Sequence, residues 1–312
     1  MKVLISDKAH PSCAKIFADA GFEVDEKTGL APAELKAIIK DYHGLVIRSA
    51  TKVTAELLDA AVNLKVVARA GAGVDNVDIP AATAKGVVVM NTPGQNSNAA
   101  AELAVAMIFA LSRHIYRACE SLKACRWEKK ALEGAEVMGK TLGVLGYGNI
   151  GRIVGELGKG IKMKVLAYDP FLTADQIKNL GAEPAGLDEL LAKSDFVTIH
   201  IPRTKETANL FNAGTIGKMK DGAYLINCAR GGLVDEEALY DALESGKLAG
   251  AALDVFAVEP PGEHKLLQLG NFICTPHLGA STKEAQINVA VAAAEQIVKY
   301  LRDGVAVNAL NA

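Results

Sequence analysis

The sequence predicts an α/β protein built from two doubly wound, parallel-sheet domains. Its 312 residues are enough for two domains of ordinary size. Along both halves, short apolar runs that are typical of buried strands alternate with amphipathic segments that are typical of helices. That alternation favours right-handed βαβ units and parallel sheets over an antiparallel fold.

The first 95 residues contain five such runs, and they predict one α/β domain. The clearest are "GLVIR", "KVVAR" and "GVVVM", which are rich in β-branched residues and bounded by glycine or polar residues. Between them lie helical patterns such as "PAELKAIIK" and "TAELLDAA". A long helix is then predicted to begin at residues 96–98, where asparagine and serine can cap it, and to continue through "AAAELAVAMIFALSRHI".

After a polar stretch around Trp127, six further apolar runs predict a second doubly wound sheet. They are "KTLGVLG", "KVLAYD", "DFVTIH", "AYLINC", "GAALDV" and "FICTPH". The last long pattern, "STKEAQINVAVAAAEQIVKYLRDG", predicts a helix with a capping box of Ser281 and Glu284 and a stop at Gly304. We expect this helix to return the chain to the first domain.

Composition narrows the class of protein. Formal net charge is −2, from 34 basic and 36 acidic residues without a basic tract, so no nucleic acid or membrane partner is expected. The five cysteines show no CxxC spacing, which argues against a disulfide framework and against a metal site. No run is long enough for a signal peptide or a membrane span, so a cytoplasmic protein is expected.

A glycine-rich turn follows the first strand of the second domain. Gly146, Gly148 and Gly151 have the G-x-G-x-x-G spacing, directly before a helical pattern. This arrangement lets a pyrophosphate approach the backbone at a helix N-terminus. Asp169 ends the next strand, where a carboxylate can bind ribose hydroxyls and repel a 2′-phosphate. The pattern predicts an NAD site rather than an NADP site.

Three polar residues end later strands of the same domain: Arg230, Glu259 and His277. Because ligands of open α/β sheets bind beyond the carboxyl ends of the strands, these side chains are expected to converge. Histidine can exchange the proton of an alcohol, a neighbouring carboxylate favours its imidazolium, and arginine can bind a carboxylate bidentately. These three residues together predict hydride transfer to or from a 2-hydroxy acid. The two glycines after Arg230 are expected to leave room for ligands.

In these motifs the chain resembles the D-isomer-specific 2-hydroxyacid dehydrogenase family. "GKTLGVLGYGNIGR", "HIPRTKETANLFN", "LINCARGGLVDEEAL", "AALDVFAVEPP" and "TPHLGAST" stand in the family's order. The resemblance implies a Rossmann NAD-binding domain, residues 98–282, inserted in a flavodoxin-like substrate domain of residues 1–97 and 283–312. It also implies a homodimer formed largely through the NAD-binding domain.

The resemblance assigns roles residue by residue. Arg230 would bind and polarise the substrate, His277 would be the acid/base, and Glu259 its partner. The implied NAD contacts, besides the three glycines and Asp169, are Asn149, Ile150, Ile201, Cys228, Ala229, Arg230, Asp254, His277, Leu278, Gly279 and Ala280.

The first domain is expected to hold the charged ends of a small phosphorylated 2-hydroxy acid. Arg48 and Arg69 end adjacent strands and could bind phosphate, since the protein has no net positive charge. The N–H groups of Ala70, Gly71, Ala72 and Gly73 could bind a carboxylate. Substrate would then bridge the two domains.

Some positions depart from the family's pattern. Ala72 stands where relatives often have threonine. After Trp127 this chain has "EKK" where relatives commonly have an arginine, so Lys129 or Lys130 would have to serve if a neighbouring subunit contributes a phosphate contact. The sequence ends without the regulatory domain of longer relatives, so feedback through such a domain is not expected. Two alternatives stay open: a reductase of another 2-oxo acid, such as hydroxypyruvate or glyoxylate, and a non-enzymatic NAD-sensing protein.

Overall fold

A computed structural model describes all 312 residues, and the chain divides into two compact units. The first comprises residues 1–96 and 280–312, and the second comprises residues 97–279. Each unit contains a parallel sheet with helices on its two faces, so the predicted fold class is confirmed.

The first unit contains a five-stranded sheet of order β2-β1-β3-β4-β5. This is the flavodoxin-like order, in which the switch point lies between β1 and β3. The strands are β1 (Lys2–Ile5), β2 (Glu23–Glu26), β3 (Gly44–Ile47), β4 (Val66–Arg69) and β5 (Val88–Met90). The helices are α1 (Ser12–Asp19), α2 (Pro32–Ile38), α3 (Ala55–Ala60), α4 (Ile79–Ala84) and the C-terminal α12 (Lys283–Asp303).

The C-terminal helix α12 lies in the core of the first unit. Its Ile297 is fully buried and lies over Gly44 of β3, where an added Cβ would be 3.2 Å from the Ile297 methyl. Gly304 ends α12 in the left-handed conformation, as predicted (φ 71°). The predicted capping box is wrong: the N-cap is Thr282, whose hydroxyl accepts the Ala285 N–H at 3.1 Å, so Ser281 and Glu284 do not form the pair.

The second unit contains a seven-stranded sheet of order β12-β11-β10-β9-β6-β7-β8. This is the Rossmann order extended by one strand, and its switch point lies between β6 and β9. The strands are β6 (Thr141–Leu145), β7 (Lys164–Tyr168), β8 (Glu183–Pro184), β9 (Phe196–Ile199), β10 (Ala223–Asn227), β11 (Leu248–Leu253) and β12 (Phe272–Cys274). The helices are α5 (Ser97–Ser112), α6 (Ile115–Lys123), α7 (Asn149–Gly160), α8 (Ala174–Asn179), α9 (Leu187–Lys193), α10 (Ala213–Gly217) and α11 (Glu236–Glu244).

The long helix predicted after residue 96 is two helices. His114 adopts a left-handed backbone conformation (φ 48°), so the chain bends by 63° between α5 and α6. No single helix of the chain is both long and apolar enough to span a membrane, although α5 and α6 together meet that test by length and composition. Much of α5 is buried in the core of its own unit.

Candidate active site

The glycine turn after β6 is shaped by close approaches of the protein's own backbone. Gly146 has a φ of 90°, and an added Cβ there would lie 2.7 Å from the carbonyl oxygen of His200. A Cβ on Gly151 would lie 1.9 Å from the oxygen of Gly146. Both positions therefore require glycine to bring α7 onto the end of β6.

Gly148 is different, because an added Cβ would meet no atom within 4 Å. It is the N-cap of the twelve-residue α7 and has no side chain to cap the first N–H groups. The free space and the helix N-terminus fit a pyrophosphate of a dinucleotide. The chain's own packing thus explains two of the glycines, and room for a ligand explains the third.

Asp169 links the turn to the neighbouring strand. It follows β7 and accepts hydrogen bonds from the Tyr147 N–H at 2.8 Å and the Phe171 N–H at 2.9 Å, one on each oxygen. A carboxylate oxygen has a second acceptor position. The partly exposed side chain can therefore also accept ribose hydroxyls, which fits the predicted role.

Asp254, after β11, organises the turn that carries His277. The carboxylate is 1% exposed and accepts hydrogen bonds from the Thr275 hydroxyl, the Leu278 N–H at 2.6 Å and the Gly279 N–H at 2.8 Å. The His277 N–H donates to the Asp254 carbonyl at 2.9 Å. These bonds hold His277 in a left-handed conformation, with φ 55°.

His277 and Glu259 form a hydrogen-bonded pair. Nδ1 of His277 lies 2.8 Å from Oε2 of Glu259, and the two side chains are 50% and 38% exposed. The other Glu259 oxygen accepts the Phe256 N–H at 3.1 Å. An ionised Glu259 places the proton of the neutral ring on Nδ1, so Nε2 is the nitrogen that can take a proton from a ligand.

A cavity of about 480 Å³ adjoins this pair, entirely within the second unit. Its walls are mainly apolar, and Glu259 and His277 are two of its few polar groups. The lining residues are Asp254, Phe256, Glu259, Pro260, Pro261, Leu267, Cys274, Thr275, Pro276 and His277. An apolar cavity of this size with a few convergent polar groups is typical of a small-molecule site.

Arg230 lies in the turn after β10. Its guanidinium donates to the Ala229 carbonyl at 2.7 Å, and the buried Asn227 side chain donates to the Arg230 carbonyl at 2.9 Å. The prediction that the following glycine leaves room for ligands is wrong for Gly231. A Cβ there would lie 1.7 Å from the Phe256 carbonyl oxygen, so the residue is glycine because two loops of the protein touch.

The other predicted cofactor residues of the second unit lie around the same sheet edge. Ile201 is buried against Gly146, and Ala229 is buried beside Arg230. Cys228 is buried with its sulfur 3.5 Å from the Met107 sulfur, and burial raises the pKa of its thiol. Asn149 and Ile150 begin α7, and Leu278 and Gly279 follow His277, whereas Ala280 falls in the first unit.

In the first unit, Arg48 directly follows β3 and Arg69 ends β4, which is paired with β3. The Arg48 N–H donates to Asp7 at 2.6 Å, and its guanidinium donates to the Lys8 carbonyl at 3.1 Å. The Arg69 guanidinium lies against Gly71, where a Cβ would be 2.4 Å from Nη1. Two cationic side chains therefore stand at one edge of this sheet, as the sequence predicts.

Two of the four N–H groups predicted to bind a carboxylate are used within the protein. The Ala70 N–H donates to the Ile47 carbonyl at 2.9 Å, and the Gly71 N–H donates to the Thr92 hydroxyl at 2.8 Å. The prediction is wrong for this pair because the contacts of β4 with its neighbours extend past Arg69. For Ala72 and Gly73 it stays a prediction. Lys129 and Lys130 are exposed.

The sequence reasoning missed Asn227 and Thr275. The Asn227 side chain accepts the Ala229 N–H at 3.0 Å and so closes the Arg230 turn. Thr275 donates its hydroxyl to Asp254. Both could have been found from the sequence, because each is a polar residue at the end of an apolar strand, shortly before a candidate functional residue.

Comparison with known proteins identifies the family. Residues 105–279 match the family model described as the D-isomer specific 2-hydroxyacid dehydrogenase, NAD binding domain, which makes NAD the cofactor of this unit. D-3-phosphoglycerate dehydrogenase of Synechocystis sp. is 52% identical over 95% of the chain, and that of Archaeoglobus fulgidus is 46% identical over 100%. The chain spans only 53% and 59% of the lengths of these two relatives.

Solved structures agree with this match. The NAD⁺-bound 3-phosphoglycerate dehydrogenase of Entamoeba histolytica has a TM-score of 0.85 and 31% identity, and the alignment covers 100% of this chain and 99% of that one. The resemblance inferred from the motifs is confirmed at the level of the family. The chain belongs to the D-isomer specific 2-hydroxyacid dehydrogenases.

Proposed function

We propose that this chain catalyses the NAD-dependent oxidation of 3-phosphoglycerate to 3-phosphohydroxypyruvate, the first step of serine biosynthesis. The observation that supports this most is the hydrogen-bonded Glu259–His277 pair, at 2.8 Å, in the domain that carries the dinucleotide turn. The substrate is inferred from the relatives that are named for that reaction.

In the proposed reaction, Nε2 of His277 accepts the proton of the C2 hydroxyl. Bound NAD⁺ supplies the acceptor for the hydride that leaves C2. Glu259 stabilises the imidazolium that forms, because its carboxylate accepts the Nδ1 proton at 2.8 Å. Arg230 binds the substrate carboxylate and polarises the carbonyl that develops at C2. The same groups return the proton in the reverse direction.

Phosphate binding is proposed for Arg48 and Arg69. Both are partly exposed residues at the ends of paired strands of the first unit. Local cations are needed because the chain as a whole has a net charge of −2. We further propose that the protein acts in the cytoplasm and as the homodimer that the family resemblance implies.

Substitution of Arg230 tests the proposed chemistry. Arg230→Ala should lower kcat/KM for 3-phosphoglycerate by about 10²- to 10³-fold, because a charged, hydrogen-bonded partner of the substrate is removed. NADH binding, followed by fluorescence titration, should be largely retained, because the resemblance implies many NAD contacts besides Arg230.

Arg230→Lys is the matched control, since it keeps the charge but loses the planar fork of donors. Its kcat/KM should lie between those of the native protein and the alanine variant. Native-like turnover in Arg230→Ala would rule out this role for the arginine.

A further inference from the structure

A second Glu–His pair lies beside the first. Oε2 of Glu236 is 3.1 Å from Nε2 of His264, and the two side chains are 17% and 18% exposed. The His264 Nδ1 accepts the Leu266 N–H at 3.3 Å, which leaves Nε2 as the protonated nitrogen that donates to Glu236. The proposed reaction uses neither residue.

The second pair is attached to the peptide between Phe256 and Ala257. The other oxygen of Glu236 accepts the Ala257 N–H at 2.7 Å. The His264 ring stands edge-on to the Phe256 ring, with centroids 6.1 Å apart at 61°. Glu236 is the first residue of α11, so its backbone is fixed by a helix whose other face is buried.

The two peptides that flank Phe256 touch the residues that carry the proposed chemistry. The Phe256 N–H donates to Glu259, which in turn holds His277. The Phe256 carbonyl lies so close to Gly231, the neighbour of Arg230, that no side chain would fit there. Phe256, through the peptide on each of its two sides, therefore contacts both Glu259 and the turn of Arg230.

We infer that Glu236, supported by His264, is a positioning residue: it holds the Phe256–Ala257 peptide so that Glu259 and Arg230 stand where the reaction needs them. This inference rests on the proposed function for its kinetic consequence. The contact that carries it, from the Ala257 N–H to Glu236, is independent of any substrate. Displacement of supporting groups by about 1 Å can cost an enzyme about 10²-fold in rate.

The experiment compares Glu236→Ala, Glu236→Gln and Glu237→Gln in the full chain. Glu237 is the matched control: it is the next residue of α11, it is exposed, and it pairs with Lys265 rather than with the peptide. Hydrogen exchange at the Ala257 amide, read by mass spectrometry of peptides spanning 254–260, needs no substrate. Kinetics with 3-phosphoglycerate and titration with NADH complete the set.

Glu236→Ala should speed exchange of the Ala257 amide at least tenfold and lower kcat by about 10- to 100-fold, with the NADH dissociation constant within twofold of native. Glu236→Gln should recover part of kcat, because its amide oxygen can still accept the Ala257 N–H. Glu237→Gln should behave as the native protein. His264→Ala should give a smaller loss of kcat in the same direction, and it serves if Glu236→Ala does not fold.

Native exchange and native kcat in Glu236→Ala would overturn the inference, as would equal losses in Glu236→Ala and Glu237→Gln. Failure of the proposed function would look different. The native chain would then turn over no 2-hydroxy acid, while the exchange data would still report whether Glu236 holds the peptide.

Discussion

At the scale of single residues, Asp254 shows how a buried carboxylate can define an active-site turn. Three donors of the segment after β12 converge on it: the Thr275 hydroxyl and the N–H groups of Leu278 and Gly279. A buried charge is tolerated when donors surround it in this way. The result is a fixed, left-handed His277 whose ring lies against Glu259.

His200 lies beside the dinucleotide turn, with its carbonyl against Gly146. Its Nε2 lies 2.8 Å from the hydroxyl of Thr198, and its Nδ1 is buried without a hydrogen-bond partner. Burial lowers the pKa of His200 from 6.5 to about 3. The ring of the folded protein therefore stays neutral at neutral and mildly acidic pH.

This shift predicts a pH dependence of stability. Between pH 3 and 6.5 the unfolded chain binds a proton that the folded His200 does not, so the contribution of His200 is complete above pH 6.5 and is lost as pH falls. We expect about 1–2 kcal/mol of the free energy of unfolding to be lost at pH 5 through this group.

Urea unfolding of the native chain and of His200→Gln, at pH 7.5 and pH 5.0, measures that contribution. The variant does not titrate, so its free energy of unfolding should fall less over this interval. Equal losses in both proteins would mean that the ring of His200 is not shielded from protonation.

At the scale of elements, the turn from β6 into α7 separates structural glycines from a ligand-facing one. Gly151→Ala should lower the free energy of unfolding by about 3 kcal/mol, because its Cβ would lie 1.9 Å from the Gly146 oxygen. Gly148→Ala should change it by less than about 1 kcal/mol, because its Cβ meets nothing.

Cofactor affinity tests the role of Gly148 directly. Gly148→Ala should weaken NADH binding at least about tenfold, because the new methyl occupies the space through which a pyrophosphate reaches the backbone. Urea unfolding of the two variants and NADH fluorescence titration of Gly148→Ala provide the measurements, with the native protein as the control. Native affinity in a stable Gly148→Ala protein would contradict the assignment of this turn.

Most elements could be predicted because their signals are local. Apolar runs bounded by glycine or polar residues correctly predicted eleven strands of the two sheets. Gly304 correctly predicted the end of α12. The missed strand β8 has only two residues, Glu183 and Pro184, at the edge of the sheet. The break between α5 and α6 could not be predicted, because the left-handed residue there is His114 and not a glycine.

At the scale of the whole molecule, the positions of the functional groups follow from parallel topology. All pairs of strands in both sheets are parallel, so residues that end different strands share one edge of each sheet. This rule places Arg230 and His277 without knowledge of their contacts. It could not reveal that Gly231 meets Phe256 or that Glu236 holds Ala257, since those contacts join loops that are distant in sequence.

The proposed division of labour between the units predicts a substrate-selective variant. Arg48→Ala removes a guanidinium and leaves the N–H bond to Asp7 in place. With NADH, its kcat/KM for 3-phosphohydroxypyruvate should fall about 10- to 100-fold, as expected for a lost charge-assisted bond to phosphate, and its kcat/KM for hydroxypyruvate should fall much less. Lys52→Ala, which removes an exposed cation nearby in the sequence, is the control. Equal losses for the two substrates would remove Arg48 from the phosphate site.

Above all, we propose that the chain is an NAD-dependent dehydrogenase of 3-phosphoglycerate. The most direct measurement is kcat/KM of the unmodified chain for a panel of 2-hydroxy and 2-oxo acids, each assayed with NAD(H) and with NADP(H). We expect the highest value for 3-phosphoglycerate and its 2-oxo product, with NAD(H) preferred because Asp169 repels a 2′-phosphate. A higher value for glyoxylate or hydroxypyruvate would contradict the proposed substrate. Binding of NADH without turnover of any acid would contradict the proposal that the chain is an enzyme.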